Sequence, residues 1–337
     1  MATELRRVAD WCAERGVHFD SYGEGELIEE FEARIADLLG FPAARFLPSG
    51  TMAQPIALRV WADRAGSDHV AMHPTAHLEL HEQHAYAHLY GLAATLLGPA
   101  DRPLLAGDLA AAPDDVAALL VELPTREAGG LLPTWDELQA LVGAARDRGW
   151  RLHLDGARLW ECGPAYGRPY DEICAGFDSV YVSFYKWIGA LPGAVLAGPA
   201  DLVEEAAVWQ RRAGGNLYTL TPNVASAAMR LDERLAALPT RIERARSLAA
   251  TLNGIEGLAT TPAVPQVNMF HPRIDLPEET ALERRDAVAE ELGLWLFGGP
   301  RPTDDDQVTL VEISVSDAAM QVSDDEVAAA FERLLRS

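Results

Sequence analysis

Lysine is almost absent from this sequence: of its 28 basic residues, only Lys186 is a lysine and the rest are arginines. Positive charge is also outweighed, since 51 acidic residues leave a formal net charge of −23. A chain this acidic repels phosphate backbones and anionic lipid surfaces, so we expect neither a nucleic acid nor a membrane as its partner.

Cysteines and long apolar runs are scarce as well. The 3 cysteines have no paired spacing, which predicts no disulfide framework and a reducing compartment, the cytoplasm. No run of about 18 apolar residues is present, so we expect no membrane-spanning helix. The opening residues MATELRRVADWCAERG are typical of an amphipathic helix and lack the apolar centre of a signal peptide.

Short apolar runs alternate with helical patterns along the chain, which is typical of an α/β fold. We expect an N-terminal helical arm over residues 1–20, a large domain over 21–235 with a mostly parallel sheet flanked by helices, and a small C-terminal α/β domain over 236–337. Apolar runs ending at Asp155 and near Lys186 are predicted strands, and LELHEQHAYAHLYGL is predicted to be helical.

The single lysine calls for a chemical reason. A guanidinium stays protonated in proteins and cannot act as a nucleophile, whereas a lysine amine can lose its proton and form a Schiff base. Lys186 is therefore a candidate for covalent amine chemistry. The alternative is the chance survival of a structural lysine.

Asp155 and Lys186 each follow a predicted strand, and functional groups in open α/β sheets gather at the carboxyl ends of strands. A lysine that forms an imine and a nearby aspartate suit pyridoxal 5'-phosphate, because the aspartate can pair with the pyridine nitrogen and keep it protonated.

A phosphate site is also needed, and PSGTMAQ offers Ser49, Gly50 and Thr51 at the start of a predicted helix. Backbone N–H groups, two hydroxyls and the positive helix end can bind a dianion there, although the same residues are a common helix cap. Ser183 could add a hydroxyl to the phosphate site, or it is an ordinary strand serine.

Four segments together carry a resemblance to a known family: FLPSGTMAQPIAL, HLDGARLW, SVYVSFYKWIGALPGAVLAG and DSYGEGELIEEFEARIADLLG. They resemble the threonine aldolase/β-eliminating lyase family, which are fold-type-I pyridoxal-phosphate enzymes of the aminotransferase-like superfamily. The resemblance runs from about Ser21 to Gly215 and continues weakly to the C-terminus. It implies that the large domain binds the cofactor.

The resemblance implies roles for individual residues around the cofactor. Lys186 is the internal aldimine lysine, and Asp155 binds the pyridine nitrogen. Arg158 lies near the phenolic oxygen and holds the substrate carboxylate. His77 stacks on the ring, and Glu82 follows five residues later, as in the family.

Further residues implied by the resemblance lie outside this group. Gly214 and Gly215 match a glycine pair near the phosphate. Tyr22 and Gly23 match a YG pair that reaches the site from a partner subunit, which implies a homodimer or homotetramer with shared active sites.

The sequence departs from the family pattern mainly in the substrate half of the site, and the N-terminal RSDT segment of the family is also missing. Thr125 takes the place of a loop histidine, with Arg126 beside it as a candidate substrate-binding residue. The arginine after the glycine pair is replaced by Leu217 or by Tyr218, a further candidate substrate-binding residue. Thr309 takes the place of a C-terminal carboxylate-binding arginine, unless Arg301 substitutes for it.

A cluster of histidines suggests a rival, since some of them are four residues apart and could bind zinc or nickel on a helix. The cluster comprises His73, His77, His81, His84 and His88. His73 precedes a proline and no cysteine lies among them, so we expect no metal site.

The sequence therefore predicts a pyridoxal-phosphate lyase that cleaves a β-hydroxy amino acid to glycine and an aldehyde, or eliminates a β leaving group. The departures suggest a substrate other than threonine. Lys186, His81, His84 or Arg126 could move protons, and the sequence does not rank them. Alternatives are an aminotransferase, a racemase, or a binding protein without turnover.

Overall fold

The computed structural model describes residues 2–336, and its packing divides the chain into two units. The large unit comprises the residues up to Pro124 together with Pro133–Ala236, and the small unit comprises Thr125–Leu132 with the residues from Ala237 onward. The domain boundary predicted near residue 235 lies next to this division. The short segment 125–132 belongs to the small unit, which the sequence does not predict.

The large unit is built on a seven-stranded sheet with the strand order β1-β7-β6-β5-β4-β2-β3. Only β7 runs antiparallel to its neighbours. The strands are β1 (Ala43–Leu47), β2 (His69–Met72), β3 (Ala93–Leu96), β4 (Ala118–Glu122), β5 (Arg151–Gly156), β6 (Ser179–Ser183) and β7 (Ala194–Gly198).

Helices flank this sheet. They are α1 (Ala2–Arg15), α2 (Glu26–Leu39), α3 (Gly50–Ala65), α4 (His77–Leu80), α5 (Ala85–His88), α6 (Trp135–Asp147), α7 (Leu159–Tyr166), α8 (Tyr170–Cys174), α9 (Ala200–Arg212) and α10 (Thr221–Asn253). α2 ends because Gly40 adopts φ 74°, a left-handed conformation that glycine allows. Within residues 2–336, every helix is too short or too polar to cross a lipid bilayer.

The core of the large unit lies between the sheet and α3, which packs on β6 and β7. Every residue of β6 and β7 is buried, as is typical of central strands in an α/β sheet. Trp61 of α3 lies in this core and donates a 2.8 Å hydrogen bond from Nε1 to Ser179 Oγ. The helix is therefore fixed to the sheet by packing and by polar contacts.

One predicted helix is wrong. The stretch expected to be helical over residues 78–92 forms the two short helices α4 and α5 instead. Gln83 and His84 between them adopt φ 51° and 53°, which a right-handed helix does not allow. The preceding residue, Glu82, is buried and bonds His77, so this side-chain contact replaces the predicted continuous helix.

The small unit has an antiparallel sheet in which β9 pairs with β8, β11 and β12, and β10 lies outside β11. Its elements are β8 (Leu258–Thr261), β9 (Met269–Ile274), β10 (Pro300–Arg301), β11 (Thr309–Val311), β12 (Ile313–Ser314), α11 (Glu278–Leu292) and α12 (Asp324–Arg336). The two helices pack on each other and share an apolar core with the sheet. The predicted α/β class, with a mostly parallel large sheet and a small α/β domain, is confirmed.

Candidate active site

The two residues singled out by the sequence leave the same edge of the large sheet. β5 and β6 are parallel neighbours, and Asp155 lies opposite Tyr181 in their register. Lys186 follows the last residue of β6 by three positions. Ser183 Oγ donates a 2.9 Å hydrogen bond to the carbonyl oxygen of Ala157, which joins the turns that follow the two strands. The shared crevice is therefore set by adjacent parallel strands.

Asp155 is buried, with 1% of its surface exposed. Its Oδ1 accepts a 3.0 Å hydrogen bond from the backbone N–H of Ala157, and its Oδ2 accepts a 2.9 Å bond from Gln54 Nε2. Two donors stabilise the ionised carboxyl group and fix its orientation.

The start of α3 forms the candidate anion site. Ser49 precedes the helix and its side chain makes no capping hydrogen bond, so the hydroxyl is not used to close the helix end. A Cβ atom at Gly50 would clash with the Tyr181 hydroxyl, so only glycine fits there. The N–H groups of this first turn, together with the positive helix end, can bind a phosphate.

The predicted glycine pair lies beside this helix start. A Cβ atom at Gly215 would clash with the sulfur of Met52, the third residue of α3. Gly214 precedes it with φ 76°, a left-handed conformation. The structure thus brings residues far apart in sequence to one end of α3.

A cavity of about 470 Å³ opens next to this end of α3. Ser49, Thr51 and Met52 line one part of it, and Trp209 and Arg212 line another. Arg212 places a cation in the cavity that also contains the two candidate phosphate hydroxyls. No sequence motif predicted a role for this arginine.

His77 and Glu82 form a hydrogen-bonded pair. His77 Nδ1 lies 2.9 Å from Glu82 Oε1, and the His77 ring lies 5.1 Å from that of His81 between centroids. Burial raises the pKa of the Glu82 carboxyl, the hydrogen bond and charge of His77 oppose this rise, and the charge of Asp155 adds to it. Because Glu82 senses both His77 and Asp155, these three groups share one electrostatic environment.

Lys186 and Arg158 are both half-buried at this edge. Arg158 immediately precedes α7, two residues beyond the end of β5. The Lys186 Nζ atom lies 6.0 Å from the ring centroid of Tyr185. Both side chains follow strand ends, as the sequence predicts.

Tyr22 and Tyr218, which lie far apart in the sequence, form an exposed pair. The N–H of Tyr22 donates a 2.9 Å hydrogen bond to the carbonyl oxygen of Tyr218, and the rings meet edge-to-face at 5.4 Å. Half of the Tyr22 surface and 69% of the Tyr218 surface are exposed. Two predicted substrate-binding residues are therefore brought together on the surface.

Buried Asp20 ties these two tyrosine-bearing segments together. It accepts hydrogen bonds from the hydroxyls of Thr219 and Thr221 and from the N–H of Gly23. Burial alone raises the pKa of the Asp20 carboxyl, but these bonds and that of the Thr221 N–H outweigh it and hold the pKa below its usual value.

We expect Asp20→Asn to lower the free energy of unfolding by about 1–3 kcal/mol at neutral pH, because bonds to a charged acceptor are weakened. Folding lowers the pKa of the Asp20 carboxyl. The contribution of Asp20 to the free energy of unfolding is therefore fully present above the unfolded pKa of about 4, and it is lost as the pH falls through the folded pKa. Urea unfolding of both proteins at about pH 7 and about pH 3 checks the prediction. An equal difference between the two proteins at both pH values contradicts it.

Arg126 and Arg301 lie in the small unit within a closed ring of alternating charge, the Arg–Glu ring, formed by Arg126, Glu127, Arg301 and Glu312. Arg126 Nε lies 2.8 Å from Glu312 Oε2, and Arg126 Nη1 lies 3.2 Å from Glu127 Oε1. Arg301 bonds Glu127 and lies 3.2 Å from Glu312. Each arginine is therefore balanced by two carboxylates.

The Arg–Glu ring lies beside an interruption in the strand pairing of the small unit. Pro272 of β9 has no N–H, and the pairing of β9 with β11 and β12 is interrupted at this proline. His271 Nε2 lies 3.6 Å from Glu312 Oε2. Nearby in the sequence, Thr309 is buried in β11, and its hydroxyl donates to the carbonyl oxygen of Leu276 at 2.8 Å.

Other histidines of the cluster have separate partners. The two ring nitrogens of His73 lie 2.7 Å from Thr75 Oγ1 and 2.8 Å from the Pro99 carbonyl oxygen, and His84 lies 3.3 Å from Glu79. In the part of the chain that the structure describes, no group of three or more metal-binding side chains is gathered.

Sequence reasoning missed Gln54, Glu127 and Glu312. A signal existed for Gln54, because it lies four residues after Gly50 and therefore one helical turn away on the same face. The two glutamates had no such signal, because the sheet of the small unit brings them together.

The described residues fit the cofactor that the resemblance implies. The Lys186 amine follows β6, and the buried Asp155 carboxylate with its two donors lies near the end of the neighbouring strand β5. Helix α3 presents its first N–H groups. The buried Glu82 Oε2 atom has no hydrogen-bond partner among residues 2–336, which leaves an acceptor at this site. These groups match an aldehyde, a protonated ring nitrogen and a phosphate.

Known proteins are similar to this chain in sequence and fold. The model of the beta-eliminating lyase family matches residues 3–275. The low-specificity L-threonine aldolase 1 of Arabidopsis thaliana is 27% identical over 307 residues, which are 88% of this chain and 85% of that protein.

Two solved structures are similar over nearly the whole chain. One, from Listeria monocytogenes EGD-E, is provisionally described as an L-allo-threonine aldolase. It is 40% identical with a TM-score of 0.92, and the match covers 98% of this chain and 92% of the Listeria chain. The other, from Exiguobacterium sp. 255-15, is provisionally described as an aromatic amino acid beta-eliminating lyase/threonine aldolase. It is 42% identical with a TM-score of 0.93, and the match covers 100% of this chain and 94% of the Exiguobacterium chain.

Proposed function

The chain belongs to the beta-eliminating lyase family, and from that premise we propose that Lys186, Asp155 and the first turn of α3 hold pyridoxal 5'-phosphate. The protein is a pyridoxal-phosphate-dependent lyase that acts on an amino acid. The observation that carries the residue assignment is the pairing of β5 and β6, which sends Asp155 and Lys186 to one edge of the sheet.

Bound pyridoxal phosphate supplies an electron sink for the charge that develops at the substrate Cα. Lys186 would hold the cofactor through its ε-amine, and the same amine would be available to move a proton when substrate is bound. Asp155 keeps the ring nitrogen protonated. Ser49, Thr51 and the N–H groups of α3 bind the phosphate beside Gly215, with Gly214 and Ser183 as further candidates.

Arg158 is the proposed ligand of the substrate carboxylate. It follows the same strand as Asp155, whereas Arg126 and Arg301 are engaged in the Arg–Glu ring. A guanidinium that already bonds two carboxylates binds a third less favourably. The substrate carboxylate therefore depends on Arg158 rather than on the two arginines of the small unit.

His81 is the best supported of the side chains that could assist Lys186 in proton transfer. Arg126 stays protonated and lies in the Arg–Glu ring, so it does not carry a proton between neutral and charged forms. The His81 ring lies 5.1 Å from that of His77, which is proposed to stack on the cofactor ring. This proximity places an imidazole close to the proposed substrate position.

The reaction is retro-aldol cleavage of a β-hydroxy amino acid to glycine and an aldehyde, since the Listeria and Exiguobacterium proteins both carry threonine aldolase descriptions. The second candidate is β-elimination, which the description of the Exiguobacterium protein also names.

Assays of the purified protein with a panel of β-hydroxy amino acids and β-chloroalanine distinguish these reactions. Glycine plus an aldehyde indicates cleavage, and pyruvate plus ammonia indicates elimination. Stoichiometric conversion of bound cofactor to its amine form indicates transamination instead. A protein that binds the cofactor and turns over no member of the panel contradicts the lyase assignment.

We further infer a homodimer or homotetramer with shared active sites. Tyr22, with Gly23 next to it, is exposed on the surface beside Tyr218 and suits contact with a partner subunit's substrate. Analytical ultracentrifugation tests the assembly.

The cytoplasm is the proposed location. Cys12, Cys162 and Cys174 are all free thiols, and the last two are buried. Free thiols without a disulfide partner fit a reducing compartment. Fractionation of cells that express the protein tests this location.

A further inference from the structure

Helix α3 contributes two different groups from one face. Gly50 begins the helix at the proposed phosphate site, and Gln54 follows one helical turn later. Gln54 is 2% exposed and donates from Nε2 to Asp155 Oδ2 at 2.9 Å. A single rigid helix therefore reaches both the phosphate end and the nitrogen end of the proposed cofactor site.

The Gln54 amide has one favourable orientation. Reversing it would place Oε1 against the Asp155 carboxylate, where two acceptors repel each other. In the present orientation Oε1 has no hydrogen-bond partner among residues 2–336. The Gln54 side chain therefore keeps its hydrogen bond to Asp155 while its Oε1 atom stays unsatisfied. The bond to Asp155 determines the orientation of the Gln54 amide.

The Asp155 carboxylate lies among other ionisable groups whose pKa values respond to its charge. They are Glu82, Tyr181 and His153. Glu82 is a second buried carboxyl group that senses this charge. The hydrogen bonds from Gln54 and from the Ala157 N–H fix the direction in which the Asp155 carboxylate points.

We propose that Gln54 is a positioning residue that holds the Asp155 carboxylate oriented toward the pyridine nitrogen. Through this bond, α3 couples the two ends of the cofactor site. The inference rests on the proposed function, because it requires pyridoxal phosphate at Asp155.

Gln54→Leu removes the donor while keeping a similar side-chain volume. We expect the dissociation constant of pyridoxal phosphate to rise roughly 10- to 100-fold, as for the loss of one hydrogen bond to a charged group. The ¹⁵N chemical shift of labelled cofactor should move toward the value of an unprotonated pyridine nitrogen. Spectroscopic titration and NMR of the holoenzyme measure the two effects.

Trp61→Phe is the matched control. Trp61 lies seven residues after Gln54 on the same helix and also donates a buried hydrogen bond to the sheet, but to Ser179 at the opposite end of β6. This variant should lower the melting temperature and leave the cofactor affinity and the ¹⁵N shift unchanged. The control separates loss of helix anchoring from loss of the Asp155 contact.

Gln54→Glu provides a second test if the leucine variant does not fold. Two carboxyl groups within hydrogen-bond distance share a proton at low pH, and the shared proton replaces the missing donor. At higher pH both groups ionise and repel each other. We therefore expect near-normal cofactor affinity at low pH and a rising dissociation constant as the pH increases.

The outcomes are distinct. If the wild-type protein binds no pyridoxal phosphate, the proposed function fails and this inference fails with it. If the wild type binds the cofactor and Gln54→Leu matches it in affinity and ¹⁵N shift, only the inference is overturned. The inference is also overturned if the dissociation constant of pyridoxal phosphate changes with pH in the Gln54→Glu protein no more than it does in the wild type.

Discussion

Replacing Lys186 with alanine is expected to lower lyase activity by about 10³-fold or more, because one change removes the amine that holds the cofactor and a proton-transfer group. The visible absorption of the bound cofactor should disappear as well. Borohydride reduction of the wild type, followed by peptide mass spectrometry, should place the cofactor on the peptide that contains Lys186. The chain has no second lysine, so no other side-chain amine competes for the modification.

Lys186→Arg is the informative control for that result. It keeps the positive charge, but a guanidinium remains protonated and does not form the covalent bond. We expect the arginine and alanine variants to be equally inactive. If the arginine variant keeps wild-type activity, the role of Lys186 is electrostatic and the covalent assignment is wrong.

Asp155→Asn is expected to lower kcat/KM by roughly 10²- to 10³-fold, because breaking a buried charge pair leaves the pyridine nitrogen without its anionic partner. The electron sink weakens when this nitrogen is not protonated. Asparagine has nearly the same shape as aspartate, so the fold should persist. Steady-state kinetics with the best substrate of the panel, together with circular dichroism, checks both parts.

Asp178→Asn is a control at the other end of the same strands. Asp178 lies just before β6, pairs with Arg146 and Arg151, and accepts a 2.8 Å hydrogen bond from the Leu152 N–H. This change should lower stability and leave kcat/KM close to the wild-type value. Equal losses of activity in the two variants would show that Asp155 acts through general stability and would contradict its proposed role.

Much of the cofactor half of the site could be predicted from local patterns. The Schiff-base candidate stood out because Lys186 is the only lysine, and the strand before Asp155 placed its carboxylate at a sheet edge. The SGT residues begin a helix, as predicted, with Ser49 before the helix and Gly50 at its crowded first position. These features depend on neighbours within about one strand or one helical turn.

Other features could not be predicted because they depend on side-chain contacts that the local pattern does not specify. The helix expected over residues 78–92 breaks where Glu82 turns inward to His77. Arg126 was a candidate for substrate binding, and its partner Glu312 lies 186 residues away in the chain. The amide of Gln54 meets Asp155 across 101 residues.

The amino-acid sequence alone determined the α/β class, the covalent lysine candidate and the family resemblance, because residue chemistry and short-range periodicity carry that information. Only the tertiary structure decided that Gln54 holds Asp155, that the Arg–Glu ring engages Arg126 and Arg301, and that Tyr22 meets Tyr218. The physical reason is that a hydrogen bond or ion pair forms only where strand register and helix packing bring both partners within a few ångströms, and local sequence does not encode that distance.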